Sequence, residues 1–375
     1  MQIPIYKPYL PKSSLNYAHD ALDSTWISSR GKYIQMAQEK LEDLLGIHVL
    51  LVNNGTSACH LVAKSLYRFY PPSMGKKQII VPNNVYVAAW NAFLFDGNYM
   101  LIPIDADLNT WNYDLKQLDN AIKKYPNTDV LIVHNMGNII NVPTLQRNYP
   151  NINFVEDNCE GFLGKYEGKL SGTTSFASAI SFFGNKNITS GEGGAFITNN
   201  ESAYEFAKCI HGQGQSDKRF IHSEMGYNYR MTNVQAAILC GQLEVLQEIQ
   251  AKKTSIFTRY CQAFDNRLDI KIQTSEPDTV SANWLFGITI HNLPNYEQTE
   301  IYFAKLAIEI RPMFYPIFEH THLKNNPNIL PTSCDNALTI NKNTFILPSY
   351  PDLTIEEQNY IILAVNEYIK SVEHL

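Results

Sequence analysis

No stretch of the 375 residues approaches the roughly 20 consecutive apolar side chains that a bilayer-spanning helix needs, so no membrane partner is expected. The start, Met1 to Leu10, carries Pro4, Tyr6 and Pro8 but neither a charged leader nor a long apolar run. No secretory signal is visible there, and the cytoplasm is the expected location. The six cysteines include no CxxC pair, which argues against a zinc ribbon or a disulfide scaffold; reduced thiols and no metal are expected. Basic runs are also missing. With 30 Lys plus Arg against 36 Asp plus Glu the formal charge is −6, and nothing offers a track for nucleic-acid phosphates. Neither GxGxxG nor GxxxxGK[ST] occurs, and there is no internal repeat or low-complexity tract, only polar Asn-rich turns near 324–331 and 341–343.

What is present is the composition of a globular protein, 45% hydrophobic and 18% charged, long enough for two packed domains. Short β-branched runs alternate with helical segments over the first two thirds. Strands are expected near Val49–Val52, Gln78–Val81, Met100–Ile104, Val130–Val133, Asn153–Glu156, Ala179–Phe183 and Ala195–Thr198. These make an α/β fold with a seven-stranded, mainly parallel sheet covered by helices on both faces. After Gly226 the pattern changes. Thr232 is positioned to cap a helix whose apolar residues Val234, Ile238, Val245 and Ile249 share one face. Further strands are expected at Ile270–Ile272, Trp284–Ile290 and Phe345–Leu347, and helices at Gln298–Ile308 and Glu356–Val372. Residues 1–245, an N-terminal arm included, are thus read as a large domain, and 246–375 as a smaller C-terminal α+β domain.

The most informative stretch is SFFGNKNITSGEGG, Ser181 to Gly194, where an apolar strand gives way to a single lysine and a glycine-rich turn. A lysine between apolar walls loses part of its preference for the charged form, and its neutral amine can then attack an aldehyde. Taken alone, Lys186 is equally a solvated lysine on a surface turn. Upstream, FVED puts Asp157 at the carboxyl end of an adjacent strand, the edge where open parallel sheets bind ligands. A carboxylate there either caps a turn or keeps the pyridine nitrogen of pyridoxal phosphate protonated. NNGTSA, Asn53 to Ala58, leads from a strand into a helix, so Gly55, Thr56 and Ser57 form either an ordinary cap or a phosphate cradle. Tyr86, in VPNNVYVAAWNA, either packs in the core or stacks on a flat ring.

In this order, with WISSRG (Trp26 to Gly31), DADLNTWNYD (Asp105 to Asp114), FVEDNCEGFLG, GYNYRMTNVQAA (Gly226 to Ala237) and RPMFYPI (Arg311 to Ile317), the motifs run nearly end to end. The chain resembles the DegT/DnrJ/EryC1/StrS family of sugar aminotransferases, enzymes of the fold-type-I aminotransferase architecture. GNKNITSGEGG, GYNYRMTN and RPMFYPI are most similar to the GDP-perosamine synthase branch, which aminates C4 of a GDP-linked 4-keto-6-deoxymannose.

The resemblance implies that Lys186 and Asp157 are catalytic: Lys186 holds pyridoxal 5'-phosphate as a Schiff base and shuttles the proton, and Asp157 pairs with the pyridine nitrogen. It implies that Ser181, Thr56 and Ser57 hold the phosphate beside Gly55, that Tyr86 stacks on the ring and that Glu160 contacts the ring hydroxyl. Asn228, with Arg230 nearby, would reach the phosphate of the partner subunit, making a homodimer with shared active sites; read from the residues alone, the two equally form a polar hinge. The implied reaction takes the amino group of L-glutamate, releases 2-oxoglutarate, and passes through pyridoxamine 5'-phosphate to a keto sugar, expected to be nucleotide-linked. Trp26, Ser29, Glu224, Arg311, Tyr315, His320 and His322 lie in segments that approach the sugar in the resembling enzymes.

Departures from the family pattern, namely Ala89 and Trp90, HNMG at His134 to Gly137, and Asn158 and Cys159 in place of two alanines, bear on the shape of the pocket. They leave room for a smaller phosphorylated ketone as substrate. A sugar dehydratase of the same family, in which a histidine replaces the lysine, and a non-catalytic scaffold that binds the cofactor are the competing readings.

Overall fold

The structure, a computed structural model, describes residues 2–265, 267–291 and 293–372. Seven strands form the central sheet: β1 (His48–Val52), β2 (Lys77–Pro82), β3 (Tyr99–Ile104), β4 (Asp129–Val133), β5 (Phe154–Asp157), β6 (Ser178–Ser181) and β7 (Gly194–Thr198). Their order is β1-β7-β6-β5-β4-β2-β3, and β7 alone runs antiparallel to its neighbours. All seven expected strands are present, each shifted by no more than two residues at either end. The runs are almost wholly buried because helices cover both faces, which is why they read as continuous apolar stretches rather than alternating ones.

The helices follow in chain order: α1 (Lys12–Asp23), α2 (Lys32–Leu45), α3 (Gly55–Phe69), α4 (Ala88–Leu94), α5 (Leu115–Lys124), α6 (Val142–Asn148), α7 (Glu201–His211) and α8 (Asn233–Glu244). One face of the sheet packs against α3, α4 and α7, through Leu61, Leu66, Trp90, Phe93 and Ile210. On the other face Tyr33, Leu41 and Leu239 belong to α2 and α8. Among the described residues no helix is long and apolar enough to cross a membrane.

Thr232 does cap α8, and the cap is reciprocal. Its hydroxyl accepts from the Gln235 amide at 3.3 Å while the Gln235 side chain accepts from the Thr232 amide at 2.9 Å. The single helix expected beyond it is in fact two. Val245 leaves helical geometry (φ −111°, ψ 20°), and α9 (Leu246–Phe264) begins after it. The buried residues of α8 are also not the expected Val234 and Ile238, which are half-buried, but Ala236, Ala237, Leu239 and Cys240. Small residues win there because α1 crosses closely. A Cβ on Gly241 would stand 2.2 Å from the Ser14 amide nitrogen, and Ser13 and Ser14 donate to the carbonyls of Gly241 and Ile238. Gly241→Ala is therefore expected to cost about 1–3 kcal/mol, read as a lower urea midpoint at unchanged slope.

After α9 a second, wholly antiparallel sheet forms from β8 (Ile270–Ile272), β9 (Phe286–Ile290), β10 (Arg311–Pro312) and β11 (Thr344–Leu347), in the order β8-β9-β11-β10. Tyr260, Phe264, Phe286, Phe303, Phe345 and Tyr368 make its core, together with α10 (Tyr296–Lys305) and α12 (Ile355–Val372); α11 (Asp335–Asn343) lies beside it. The first residues of the chain join this core: Ile3 is buried within it and bridges to Ile308.

Candidate active site

Three strand ends meet at the carboxyl edge of the central sheet. Register aligns Val52 of β1 with Gly194 of β7, and Gly194 with Ser181 of β6, while Asp157 at the end of β5 lies opposite Ala179. Only glycine fits at two of the junctions. A Cβ on Gly194 would stand 2.6 Å from the Ile180 carbonyl oxygen, and one on Gly55 would stand 2.7 Å from Cβ of Ser181. The start of α3 is thereby pressed against the end of β6. Asn54 caps it, accepting from the Ser57 amide at 2.9 Å, and the amides of Gly55 and Thr56 are left without intrahelical acceptors.

These ends open into a cavity of about 560 Å³, whose lining includes Gly55, Thr56, Ser57, Tyr86, Asp157, Glu160, Ser181, Lys186 and Arg311. Nine sequence-predicted residues, from five separate segments of chain, are brought together. Two other cavities, of about 590 and 640 Å³, contain none of them.

The electrostatics are those of a buried ion-binding site. Asp157 is almost fully buried and accepts from the Cys159 amide at 3.1 Å. Glu160 accepts from the Met136 amide at 2.8 Å, and burial pushes its carboxyl up to about 7 against the opposing pull of the Lys186 charge. Near neutrality it therefore exchanges a proton readily. Lys186 stands over the ring of Trp284, Nζ lying 3.9 Å from its centroid. The same indole donates to the Asn185 carbonyl at 2.8 Å, and the Tyr6 hydroxyl donates to the Lys186 carbonyl at 2.8 Å. Asn185 lines the cavity with its Oδ1 buried and without a hydrogen-bond partner.

The remaining predicted residues lie outside this lining. Arg230 donates to Ser29 Oγ at 3.2 Å and to Asn228 Oδ1 at 3.1 Å, so Ser29, Asn228 and Arg230 form their own cluster. Trp26 is 59% exposed. Glu224 reaches Arg68 at 3.7 Å, and His322 reaches Asn91 at 3.1 Å. His320 packs edge-on against Trp90 at 5.5 Å, and Tyr315 is exposed. Trp90, expected to reshape the pocket, is instead fully buried in the core with its indole donating to the Pro82 carbonyl; from its segment Tyr86 and Ala88 line the cavity, and from HNMG Met136 does.

Trp284, Cys59 and Asn185 were not singled out from the sequence as site residues. Trp284 meets Lys186 across 98 positions of chain, a contact that no local pattern signals. Asn185 was within reach, since it stands next to the lysine in the same motif.

The profile of the DegT/DnrJ/EryC1/StrS aminotransferase family matches residues 8–366. GDP-perosamine synthase of Escherichia coli O157:H7 is 32% identical over 372 residues, 98% of each chain, and that of Vibrio cholerae is 30% identical over 384 residues, 99% of this chain and all of the other. Among solved structures, Helicobacter pylori PseC, an aminotransferase of pseudaminic acid biosynthesis, superposes with a TM-score of 0.89 at 24% identity, covering 99% of this chain and 100% of that one. An E. coli GDP-4-keto-6-deoxy-D-mannose-3-dehydratase superposes equally well, at 0.89 and 21% identity, over 97% and 99%.

Proposed function

The chain belongs to the DegT/DnrJ/EryC1/StrS aminotransferase family, and we propose on that footing that it moves the amino group of L-glutamate onto C4 of a nucleotide-linked 4-keto-6-deoxyhexose. Its cofactor is pyridoxal phosphate, which supplies when bound an aldehyde that condenses with amines and a ring that accepts electrons from the substrate carbon.

The residues present suit that group. The uncapped amides of Gly55 and Thr56 and the Ser181 hydroxyl lie together at a helix N-terminus, the donor set that a phosphate takes. Asp157 offers a buried carboxylate to a protonated ring nitrogen, and Lys186 offers the only lysine amine among the described residues of the lining. In this reading Lys186 would hold the cofactor through Nζ and would carry the proton between substrate carbon and cofactor in both halves of the reaction. Trp284 holds that amine against one wall in the meantime. Tyr86, 58% exposed on the lining, would stack on the ring, and Glu160 would meet its hydroxyl. Arg311, exposed on the lining, is positioned for an anionic or hydroxyl-rich part of the sugar substrate.

Asn228, Arg230 and Ser29, which cluster outside the cavity, are assigned to the cavity of a partner subunit in a homodimer. We take the large domain to be 1–245 and the small one 246–375, a division that coincides with the non-helical backbone at Val245. The single observation that carries the function is the convergence of Lys186, Asp157, Ser181 and the start of α3 on one cavity.

Gly55→Ala tests the cradle. Its new methyl group meets Ser181 Cβ and Cys159 Sγ, so cofactor affinity is expected to fall about tenfold, or about 1.4 kcal/mol, in a titration followed by visible absorbance. The function itself is tested by borohydride reduction followed by mass spectrometry, and by incubation with glutamate and a panel of keto compounds. A pyridoxyl adduct on Lys186 and an aminated nucleotide sugar are expected. An adduct elsewhere removes the catalytic assignment, and amination of only a triose or tetrose phosphate moves the substrate to that smaller class.

A further inference from the structure

Two of the six cysteines, 100 residues apart in the sequence, meet on the floor of the cavity. Cys59, from the second turn of α3, and Cys159, two residues after Asp157, each place a sulfur beside the Asp157 carboxylate. One ligand atom from each of the three residues lies within 4.8 Å of the other two. The family's usual alanine is replaced at position 159, so the second thiol is a departure that the transaminase chemistry does not use.

We propose that Cys59, Cys159 and Asp157 form a site for one soft divalent cation of the zinc type, and that this cation and the nitrogen end of the cofactor exclude each other. The donor set is right for such an ion, two sulfurs and one carboxylate oxygen. Around a tetrahedral zinc, with Zn–S bonds of about 2.3 Å, the sulfurs stand about 3.8 Å apart, so a closure of about 1 Å by side-chain rotation suffices. All three residues line the cavity, so a cation held there would have access to solvent for its fourth ligand, as in an exchangeable rather than a purely structural site.

Binding releases both thiol protons to solvent, and no electron moves. Two thiolates and the Asp157 carboxylate then carry three negative charges, which the divalent cation and the neighbouring Lys186 ammonium balance. Their mutual hydrogen bond and burial hold the Cys159 thiol well above the usual range; in Cys59 that same hydrogen bond lowers the thiol, but burial and the adjoining Asp157 carboxylate together raise it further, so that it too lies above the usual range. The thiols are therefore protonated without metal, poor nucleophiles and slow to oxidise. For the same reason affinity should climb with pH, by up to about a hundredfold per unit while two protons must leave. Other ionisable groups facing the site are Lys186 and Glu160, the latter held by the Met136 amide.

The exclusion rests on the reading of Asp157 as the partner of the cofactor's nitrogen: Oδ1 already accepts from the Cys159 amide, and a divalent cation held on the same carboxylate repels the proton that the ring nitrogen must carry. Cobalt(II) is the probe, titrated anaerobically into the full-length protein before and after removal of pyridoxal phosphate. Cofactor-free protein is expected to show a thiolate-to-cobalt charge-transfer band saturating at one equivalent, displaced by zinc chloride. Cys59→Ala and Cys159→Ala should each weaken binding at least tenfold, and the double variant should lack the band; alanine at 159 is the family's own residue, so that variant is expected to fold. Protein saturated with cofactor should show no band. A band that persists in the double variant, or none in wild type, overturns the site. An equal band with and without bound cofactor overturns the exclusion. The band in cofactor-free protein does not depend on how the cavity is used, so this proposal and the transaminase reading can fail separately.

Discussion

Lys186→Ala is expected to remove measurable amino transfer, because loss of the proton-transferring group alone lowers the rate about 10²–10⁴-fold and the same amine also anchors the cofactor. The substitution is clean in structural terms. Both main-chain bonds that fix position 186, its amide to the Phe183 carbonyl at 2.9 Å and the Tyr6 hydroxyl to its carbonyl, survive truncation of the side chain. What disappears is a half-buried ammonium over the Trp284 ring. The variant should therefore fold, still bind pyridoxal phosphate through its phosphate and ring nitrogen, and release it on dialysis because no covalent bond holds it. Lys186→Arg is the companion experiment. It keeps the charge and the aromatic contact but has no amine that deprotonates near neutrality, and its activity should match that of the alanine variant. Turnover within tenfold of wild type in either variant would remove Lys186 from the reaction.

The sequence shows the lysine and its glycine-rich turn clearly because backbone requirements are local: Gly191 and Gly193, five and seven residues after the reactive one, take positive φ, at 86° and 147°. Strands of the central sheet are equally legible, since burial on both faces leaves uninterrupted β-branched runs. What escapes is whatever depends on a distant segment. Helical spacing at Val234, Ile238, Val245 and Ile249 suggests one helix, but α1 crosses at Gly241 and selects the small-residue face, while the run is broken at Val245 and α9 continues into the core of the second sheet. Trp90 sits in a motif that borders the cavity, yet α4 turns its ring inward to the Pro82 carbonyl and leaves Ala88 on the lining. Position along a motif locates the segment, and the helix phase decides which of its residues the ligand meets.

Asp157→Asn is expected to lower amino transfer by about 10–150-fold, the worth of a charged hydrogen bond of about 1.5–3 kcal/mol to a group that must stay protonated. The swap is close to isosteric. Asparagine can still accept from the Cys159 amide, so the turn that joins β5 to the cavity floor keeps its hydrogen bond and the strand pairing with β4 and β6 is untouched. Only the negative charge goes, and with it the reason for a pyridine nitrogen to hold a proton beside Lys186. Cofactor should bind less tightly, and its absorbance should shift as the ring nitrogen deprotonates. The lysine adduct should still form under borohydride, since Nζ and the phosphate cradle at Gly55, Thr56 and Ser181 are unchanged. A purely structural aspartate predicts a different pattern: lower thermal stability with unaltered absorbance and turnover. Asp157→Glu separates the two further, because it restores the charge while pushing an extra methylene toward Cys59 and Cys159. If charge is what matters, glutamate recovers the absorbance of bound cofactor even where crowding keeps turnover low; if it does not, Asp157 loses its assigned role.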